Sequence, residues 1–338
     1  MIARVGVLLV VAMLAVGGWL YWDYQHTIER PLVLSDQTVH VQVERGTSFQ
    51  QLTRNLAAQG LLEPSEWYRV WGRLSEGAGR IQAGEYAVTP GMSLPELVEK
   101  MARGDVVQYS FTIVEGWTFW QLMNALQAHP HIESELKGLT PEEVGERVGL
   151  DTAYPEGKFY PDTYRFPSGT TDVQFLRRAN ERLKAVLETE WERRAEELPV
   201  NTPYEALILA SIIERETGQP HERGKVAGVF TRRLQIGMRL QTDPTVIYGL
   251  GEGFEGRLRT VHLRTDTPYN TYTRGGLPPT PIAMPSGASI RAALNPEDGT
   301  ELYFVSRGDG THHFSNTLRE HNRAVCIYIL KRSNCGEL

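Results

Sequence analysis

Cysteine is nearly absent from this 338-residue chain, which has two, Cys326 and Cys335, both near its end. Two cysteines placed so late cannot build a disulfide framework, and no metal-ligand spacing surrounds them. Cys326 lies on a helical-looking stretch and reads as a small buried residue; a Cys326–Cys335 bridge is the alternative in an oxidising compartment. An excess of basic residues is also missing. The net charge of −6 argues against a general nucleic-acid binder, but it leaves neutral sugars open as partners. No phosphate-cradling Gly-Lys-Ser/Thr loop, Gly-x-Ser-x-Gly elbow or His-Glu-x-x-His occurs, so nucleotide and metalloprotease chemistry have no support. His312 and His313 are neighbours and so point to opposite sides of a strand. With no acidic or cysteine cluster beside them, a metal site is not expected. Apolar residues at 41% and charged residues at 22% are ordinary for a globular protein, which indicates neither disorder nor a polytopic membrane protein.

One long apolar run is present. Val5–Trp22 carries no charge, follows Arg4 and closes on Trp19, Tyr21 and Trp22. As a helix it would span about 27 Å, enough for a bilayer core. Arg4 would stay in the cytoplasm and the aromatics would sit at the far interface. A cleaved signal peptide is the alternative, since Ala15-Val16-Gly17 resembles a small-residue cleavage site. No cysteine follows the run, so it is not a lipoprotein signal. On either reading, everything after Asp23 works outside the cytoplasm.

A local pattern then recurs: Gly, Ser/Thr two residues on, and a large apolar residue six on. It appears at Gly46…Ser48…Leu52, Gly91…Ser93…Leu97 and Gly116…Thr118…Leu122, and more weakly at Gly169…Thr171…Phe175. Each copy follows an extended-looking segment, which predicts a strand, a glycine turn, an N-cap and a helix. The first copy resembles the opening of a LysM module, a binder of N-acetylglucosamine-containing glycans, although any capped strand-to-helix joint shares those residues. Prolines and glycines crowd 130–158 as a hinge would. A long amphipathic helix is expected over Asp172–Leu198, stopped by Pro199, and another over Gly224–Ile236. Asp243 before Pro244 reads as an N-cap, Leu302–Ser306 and Thr311–Phe314 as a hairpin, and Asn316 as the cap of the last helix.

Within Leu207–Thr217, helical spacing gathers Leu209, Ile212 and Ile213 on one face with Glu216 among them. Glu214 is expected to look outward with Ser211 and Arg215. Gly218 in the left-handed conformation, followed by Pro220, would end the helix there. Apolar neighbours and the negative end of the helix dipole would hold the Glu216 carboxyl neutral, as a general acid requires. The alternative is an exposed glutamate in a fraying last turn.

The chain resembles the YceG-like endolytic murein transglycosylases (the MltG family), anchored in the bacterial inner membrane. The resemblance rests on Gly157–Tyr164, Ala210–Thr217, Lys225–Phe230, Arg239–Gly249, Tyr269–Tyr272, Gly276–Pro279 and His321-Asn322, and it covers about 5–330. It implies that Glu216 is catalytic and that the MurNAc–GlcNAc β-1,4 bond is cut within glycan strands, leaving 1,6-anhydro ends. Gln241, Thr242, Asp243, Tyr269 and Asn270 are implied to bind substrate or support Glu216. No metal or organic cofactor is implied. Peptidoglycan strands are the implied partner, proximity to the membrane suggests peptidoglycan synthases as further partners to be tested, and no nucleic acid is expected. The expected fold is α+β: a cytoplasmic start (1–4), a membrane anchor (5–22), a small LysM-like domain (36–107), a connecting region (108–150) and a larger mixed catalytic domain (151–338) on the periplasmic side. A two-carboxylate muramidase, with Asp243 or Glu214 activating water, and a non-catalytic peptidoglycan-binding scaffold are the alternatives.

Overall fold

The computed structural model describes residues 2–32, 36–152, 154–251, 254, 256–332, 334 and 335, and it is a mixed helix-and-strand chain. Two compact units emerge: Met1–Ser110 with Arg165–Gly169, and Phe111–Tyr164 with Thr170–Leu338.

The first unit opens on α1 (Ile2–Ile28), which is long and apolar enough over Arg4–Ile28 to cross a membrane. Then come β1 (Val39–Val43), α2 (Phe49–Ala58), α3 (Glu66–Leu74), β2 (Gly84–Val88) and α4 (Leu94–Arg103). β1 and β2 pair antiparallel with Val39 opposite Val88 and Val43 opposite Gly84. Alternation sends Val41, Val43, Tyr86 and Val88 inward. There they meet Leu52 and Leu56 of α2 and Leu97 and Met101 of α4.

β3 (Gln108–Thr112) leads into α5 (Phe119–Gln127), β4 (Ile132–Glu133), α6 (Pro141–Val148), β5 (Thr163–Pro167), β6 (Thr170–Thr171) and α7 (Asp172–Glu192). Next come α8 (Pro203–Glu216), α9 (Arg223–Gln235), α10 (Asp243–Leu250), α11 (Thr260–Arg264) and α12 (Gly287–Leu294). The hairpin β7 (Tyr303–Ser306) and β8 (His312–Ser315) and the final helix α13 (Leu318–Tyr328) close the chain. β3 pairs with β5, β4 runs parallel to β6, and β7 and β8 are antiparallel with Tyr303 opposite Ser315. The core of the second unit is the packing of α8 against α12, α7 and α9.

The recurring glycine joint is present at all four places. Gly46, Gly91, Gly116 and Gly169 take φ of 83°, 84°, 75° and 80°, the left-handed region where a Cβ is disfavoured. Ser48, Ser93, Thr118 and Thr171 follow as N-caps of α2, α4, α5 and α7. The stretch 130–158 is not a bare hinge. Its prolines and glycines bracket α6, with Pro141 at the first turn, Gly149 left-handed at the end, and Val144 and Val148 buried. From Phe111 onward, the expected connecting region 108–150 falls in the second unit.

Other ends shift by smaller steps. α7 stops at Glu192, before Leu198. Thr317, in a capping box with Glu320, replaces Asn316 as the cap of α13. Cys326 and Cys335 are joined in a disulfide, their Cα atoms 5.9 Å apart, which ties the chain end back to α13. Gly218 does not adopt positive φ; α8 ends because Thr217 turns extended, at φ −140° and ψ 129°.

That contrast is testable. A Cβ at either Gly91 or Gly218 would meet no atom within 4 Å. Gly91→Ala is therefore expected to cost about 1–2 kcal/mol through backbone strain alone, and Gly218→Ala less than about 0.5 kcal/mol. Urea unfolding of both variants measures the difference, and equal effects would contradict it.

Candidate active site

The site is built on α8. Thr202 caps its start, accepting the Glu205 N–H at 3.1 Å, and Pro203 pre-sets the first turn. Every residue from Ala206 to Ile213 is buried, so this helix is enclosed all round and has no solvent face to spare. The expected outward face is accordingly turned inward. Ser211 donates to the Ile208 carbonyl at 2.7 Å and accepts the Ile282 N–H at 3.0 Å.

Glu214 is likewise interior, its side chain 7% exposed. Its Oε2 accepts the Ser286 N–H at 2.9 Å, the Ser286 hydroxyl at 2.5 Å and the Ser289 hydroxyl at 2.7 Å. Arg223 stands 3.8 Å from the other oxygen. Glu214 thus fastens the end of α8 to the start of α12, where the helix N-terminus favours a negative charge. Arg215, the exposed neighbour, donates to the Gly116 carbonyl at 3.1 Å.

Glu216, the last residue of α8, faces a cleft of about 450 Å³. Burial pushes its carboxyl up to about 7, and the nearby Asp243 charge adds to that. The Thr242 hydroxyl, which donates to Glu216 Oε1, pulls the other way, as do the neighbouring His312 and Arg233. Some of the Glu216 surface remains open to the cleft. A carboxyl so placed can release or take up a proton near neutral pH.

Thr242 is the N-cap of α10, one residue before the expected Asp243. Its hydroxyl makes no capping bond because it is given to Glu216. Other hydroxyls hold the loop in place. The Thr242 N–H donates to Thr271 Oγ1 at 3.0 Å, and Thr245 bonds both Thr271 Oγ1 and the Thr242 carbonyl at 2.9 Å. Gln241, exposed on the cleft, has φ of 49°, unusual for a residue with a side chain. Such backbone persists only where its surroundings hold it, and here the Gln241 N–H is anchored on the Thr271 carbonyl at 3.2 Å.

Asp243 also lines the cleft and accepts the Tyr272 hydroxyl at 2.6 Å. Burial and the Asp243 charge hold that hydroxyl well above the usual tyrosine range, so it stays a donor. Tyr269 and Asn270 do not line the cleft. Tyr269 bonds Thr280 at 2.8 Å and lies edge-on to Tyr248. The buried Asn270 side chain donates to the carbonyls of His262, Leu263 and Thr265 at 2.7–3.2 Å and accepts the Tyr272 N–H at 2.9 Å. Both positions shape the loop that carries Thr271 and Tyr272.

The sequence reading missed Arg233. It is buried beneath the cleft, donating to the carbonyls of Leu302 at 2.6 Å and Leu240 at 2.7 Å, with its guanidinium over the Tyr303 ring. It ties β7 to the loop beside Glu216. The signal was legible: Arg233 continues the apolar stripe Val226, Val229, Phe230 on α9, where a charge is out of place. The opposite wall, from β7, β8 and α13, brings His312 and His321 to the cleft. Glu222 clamps His312, accepting its N–H at 2.9 Å and facing its Nδ1 at 2.8 Å.

The raised Glu216 value has a consequence for stability. From the ordinary carboxyl range up to about 7, the folded chain holds a proton that the unfolded chain has lost, so stability falls as pH rises across that window. Glu216→Gln cannot ionise. Its melting temperature is expected to gain on that of the parent chain between about pH 4.5 and 7 and to run parallel above it. Thermal melts at stepped pH test this; an unchanging difference would mean that Glu216 titrates normally.

The comparisons with known proteins accord with this architecture. The YceG-like family model matches residues 41–326. An endolytic murein transglycosylase of Bacillus subtilis is 31% identical over 319 residues, covering 88% of this chain and 87% of that protein. One from Streptococcus pneumoniae is 25% identical over 369 residues, covering 97% of this chain and 65% of that longer protein. A crystal structure of a YceG-like protein from Listeria monocytogenes aligns with a TM-score of 0.54 at 28% identity, covering 86% of this chain and 100% of that one. On the extent of the family match and the breadth of the Bacillus alignment, the chain belongs to the YceG-like family.

Proposed function

We propose that this chain is an endolytic peptidoglycan lytic transglycosylase in which Glu216 acts first as acid and then as base. The observation that carries the reading is the Glu216 carboxyl, raised to about 7, lining a cleft and held by Thr242. The protonated Glu216 gives its proton to the glycosidic oxygen as the bond from MurNAc C1 to that oxygen breaks. The resulting carboxylate takes the proton of the MurNAc C6 hydroxyl while O6 closes onto C1. The products are a 1,6-anhydro end and a free GlcNAc 4-hydroxyl, no water is consumed, and Glu216 is returned protonated.

One protein carboxyl suffices because the nucleophile belongs to the substrate, whereas a hydrolase ordinarily uses a pair about 5–10 Å apart. Glu214 is unsuited to be the second member, since its Oε2 already accepts three donors. Asp243 on the same cleft is what keeps a two-carboxylate muramidase as a second reading. Gln241 and Asp243 are placed to meet substrate, Thr242 to hold Glu216, and Tyr269 and Asn270 to brace the loop from outside the cleft.

Residues 5–22 serve as a single-pass anchor in the bacterial inner membrane, with residues 1–4 in the cytoplasm and the remainder on the periplasmic side. The strand–helix–helix–strand order of β1, α2, α3 and β2 supports the LysM-like reading of 36–107. The catalytic domain is read over 151–338, with the connecting region 108–150 sharing its compact unit from Phe111 onward. A cutter tethered there reaches strands as they are made, which makes peptidoglycan synthases its natural partners; co-purification with none of them would count against that association.

Peptidoglycan digested by the full chain is expected to yield fragments one water lighter than hydrolysis products in mass spectrometry. Glu216→Gln should lose at least about 100-fold in rate, the lower end of what general acid–base catalysis contributes. Products with ordinary reducing ends would establish the muramidase reading, and cleavage undiminished in the variant would remove Glu216 from the chemistry. The rate at limiting substrate should fall as pH rises through about 7, because the first step needs the protonated acid.

A further inference from the structure

Helix α3 leaves apolar surface uncovered at the end of α1. At 100° per residue, Trp67, Val70 and Leu74 fall within about 60° of one another, and Trp71 adjoins them. Leu74 is 75% exposed and Val70 41%, while Trp67 and Trp71 are half-buried. Single exposed apolar residues are ordinary, but a contiguous stripe beside aromatic rings marks a contact surface. Exposed Arg73 borders the stripe, and Arg69 lies on the opposite side of the helix.

The same helix is fastened to α1. Trp67 Nε1 donates to Asp23 Oδ2 at 2.8 Å, and its ring meets Tyr24 edge-on with centroids 5.5 Å apart. The Tyr68 hydroxyl donates to the Thr27 carbonyl at 3.4 Å, and Glu63 pairs with Arg30. From Glu63 to Trp67 the contacts therefore move back along the chain, from Arg30 just past the end of α1 to Asp23 within it. Asp23 directly follows the uncharged run, whose closing aromatics Trp19, Tyr21 and Trp22 are exposed as an interfacial belt would be. The fastening holds the start of α3 at the level of that belt.

We infer that α3 lies in the outer interface of the bilayer as a second membrane contact. Val70 and Leu74 enter the boundary between headgroups and acyl chains, with Trp67 beside them. Arg73 lays its methylene stem along the lipid and keeps its guanidinium among the phosphates. The first unit is then held against the membrane surface instead of swinging on its anchor. This placement rests on α1 being the anchor proposed above.

The test uses the full chain in vesicles of phosphatidylethanolamine and phosphatidylglycerol, with the Cys326–Cys335 bridge kept oxidised. Leu14→Cys, Leu74→Cys and Arg69→Cys are spin-labelled one at a time, and collision with oxygen and with a water-soluble nickel complex is measured. The label at Leu14 should be deep. The label at Leu74 should show a severalfold higher oxygen-to-nickel ratio than the label at Arg69, about 140° around the same helix. Equal, water-like ratios at Leu74 and Arg69 with Leu14 still deep would overturn the interfacial placement and leave the anchor intact. Water-like accessibility at Leu14 would overturn the anchor reading and, with it, this one.

Discussion

The second unit depends on enclosing one helix that carries two carboxylates on its last turn. Burial of α8 from Ala206 to Ile213 drives the packing of α12, α7 and α9 around it. That enclosure brings Glu214 and Glu216 out of bulk water, and a carboxylate so placed must find donors or stay protonated. The two residues take the two solutions. Glu214 collects two serine hydroxyls and a backbone N–H and becomes a clamp on α12. Among the described residues, Glu216 receives only the Thr242 hydroxyl, and its proton affinity rises.

The surroundings of Glu216 follow the same economy of hydroxyls and charges. Thr242 gives up its capping bond on α10 to reach Glu216, and Thr245 and Thr271 hold the loop that lets it do so. Gln241 absorbs the backbone strain of that loop at the edge of the cleft. Arg233 supplies a buried positive charge, with its Nε on the Leu302 carbonyl and an Nη1 N–H on the Leu240 carbonyl, and no ion pair joins it to Glu216 among the described residues. It therefore moderates the Glu216 carboxyl through space. In the proposed reaction such a balance suits a group that must give a proton and take one back.

Much of the local structure was legible from residue order alone, because its causes are local. A glycine followed two residues later by Ser or Thr specifies a left-handed turn and an N-cap wherever it occurs, and all four copies fold that way. At the cap of α10 a distant partner had changed the local preference. Asp243 was displaced as the cap of α10 by Thr242, whose hydroxyl is turned toward a residue 26 positions away. Gly218 was available for a left-handed helix end, but the chain leaves α8 through an extended Thr217.

The sequence by itself determined the apolar run of α1, the strand-to-helix joints and the hairpin near the end, and it singled out Glu216 as a candidate. Each rests on spacing, turn chemistry or a contiguous motif, which neighbours along the chain are enough to express. Tertiary structure alone decided which face of α8 was interior. A helix buried all round has no amphipathic stripe to read, so Glu214 and Ser211 gave no sign that they point inward. It also decided that Tyr269 and Asn270 brace a loop outside the cleft while Tyr272 and Arg233 reach it. Hydrogen bonds between segments tens of residues apart make those assignments, and no periodicity within a single segment encodes them.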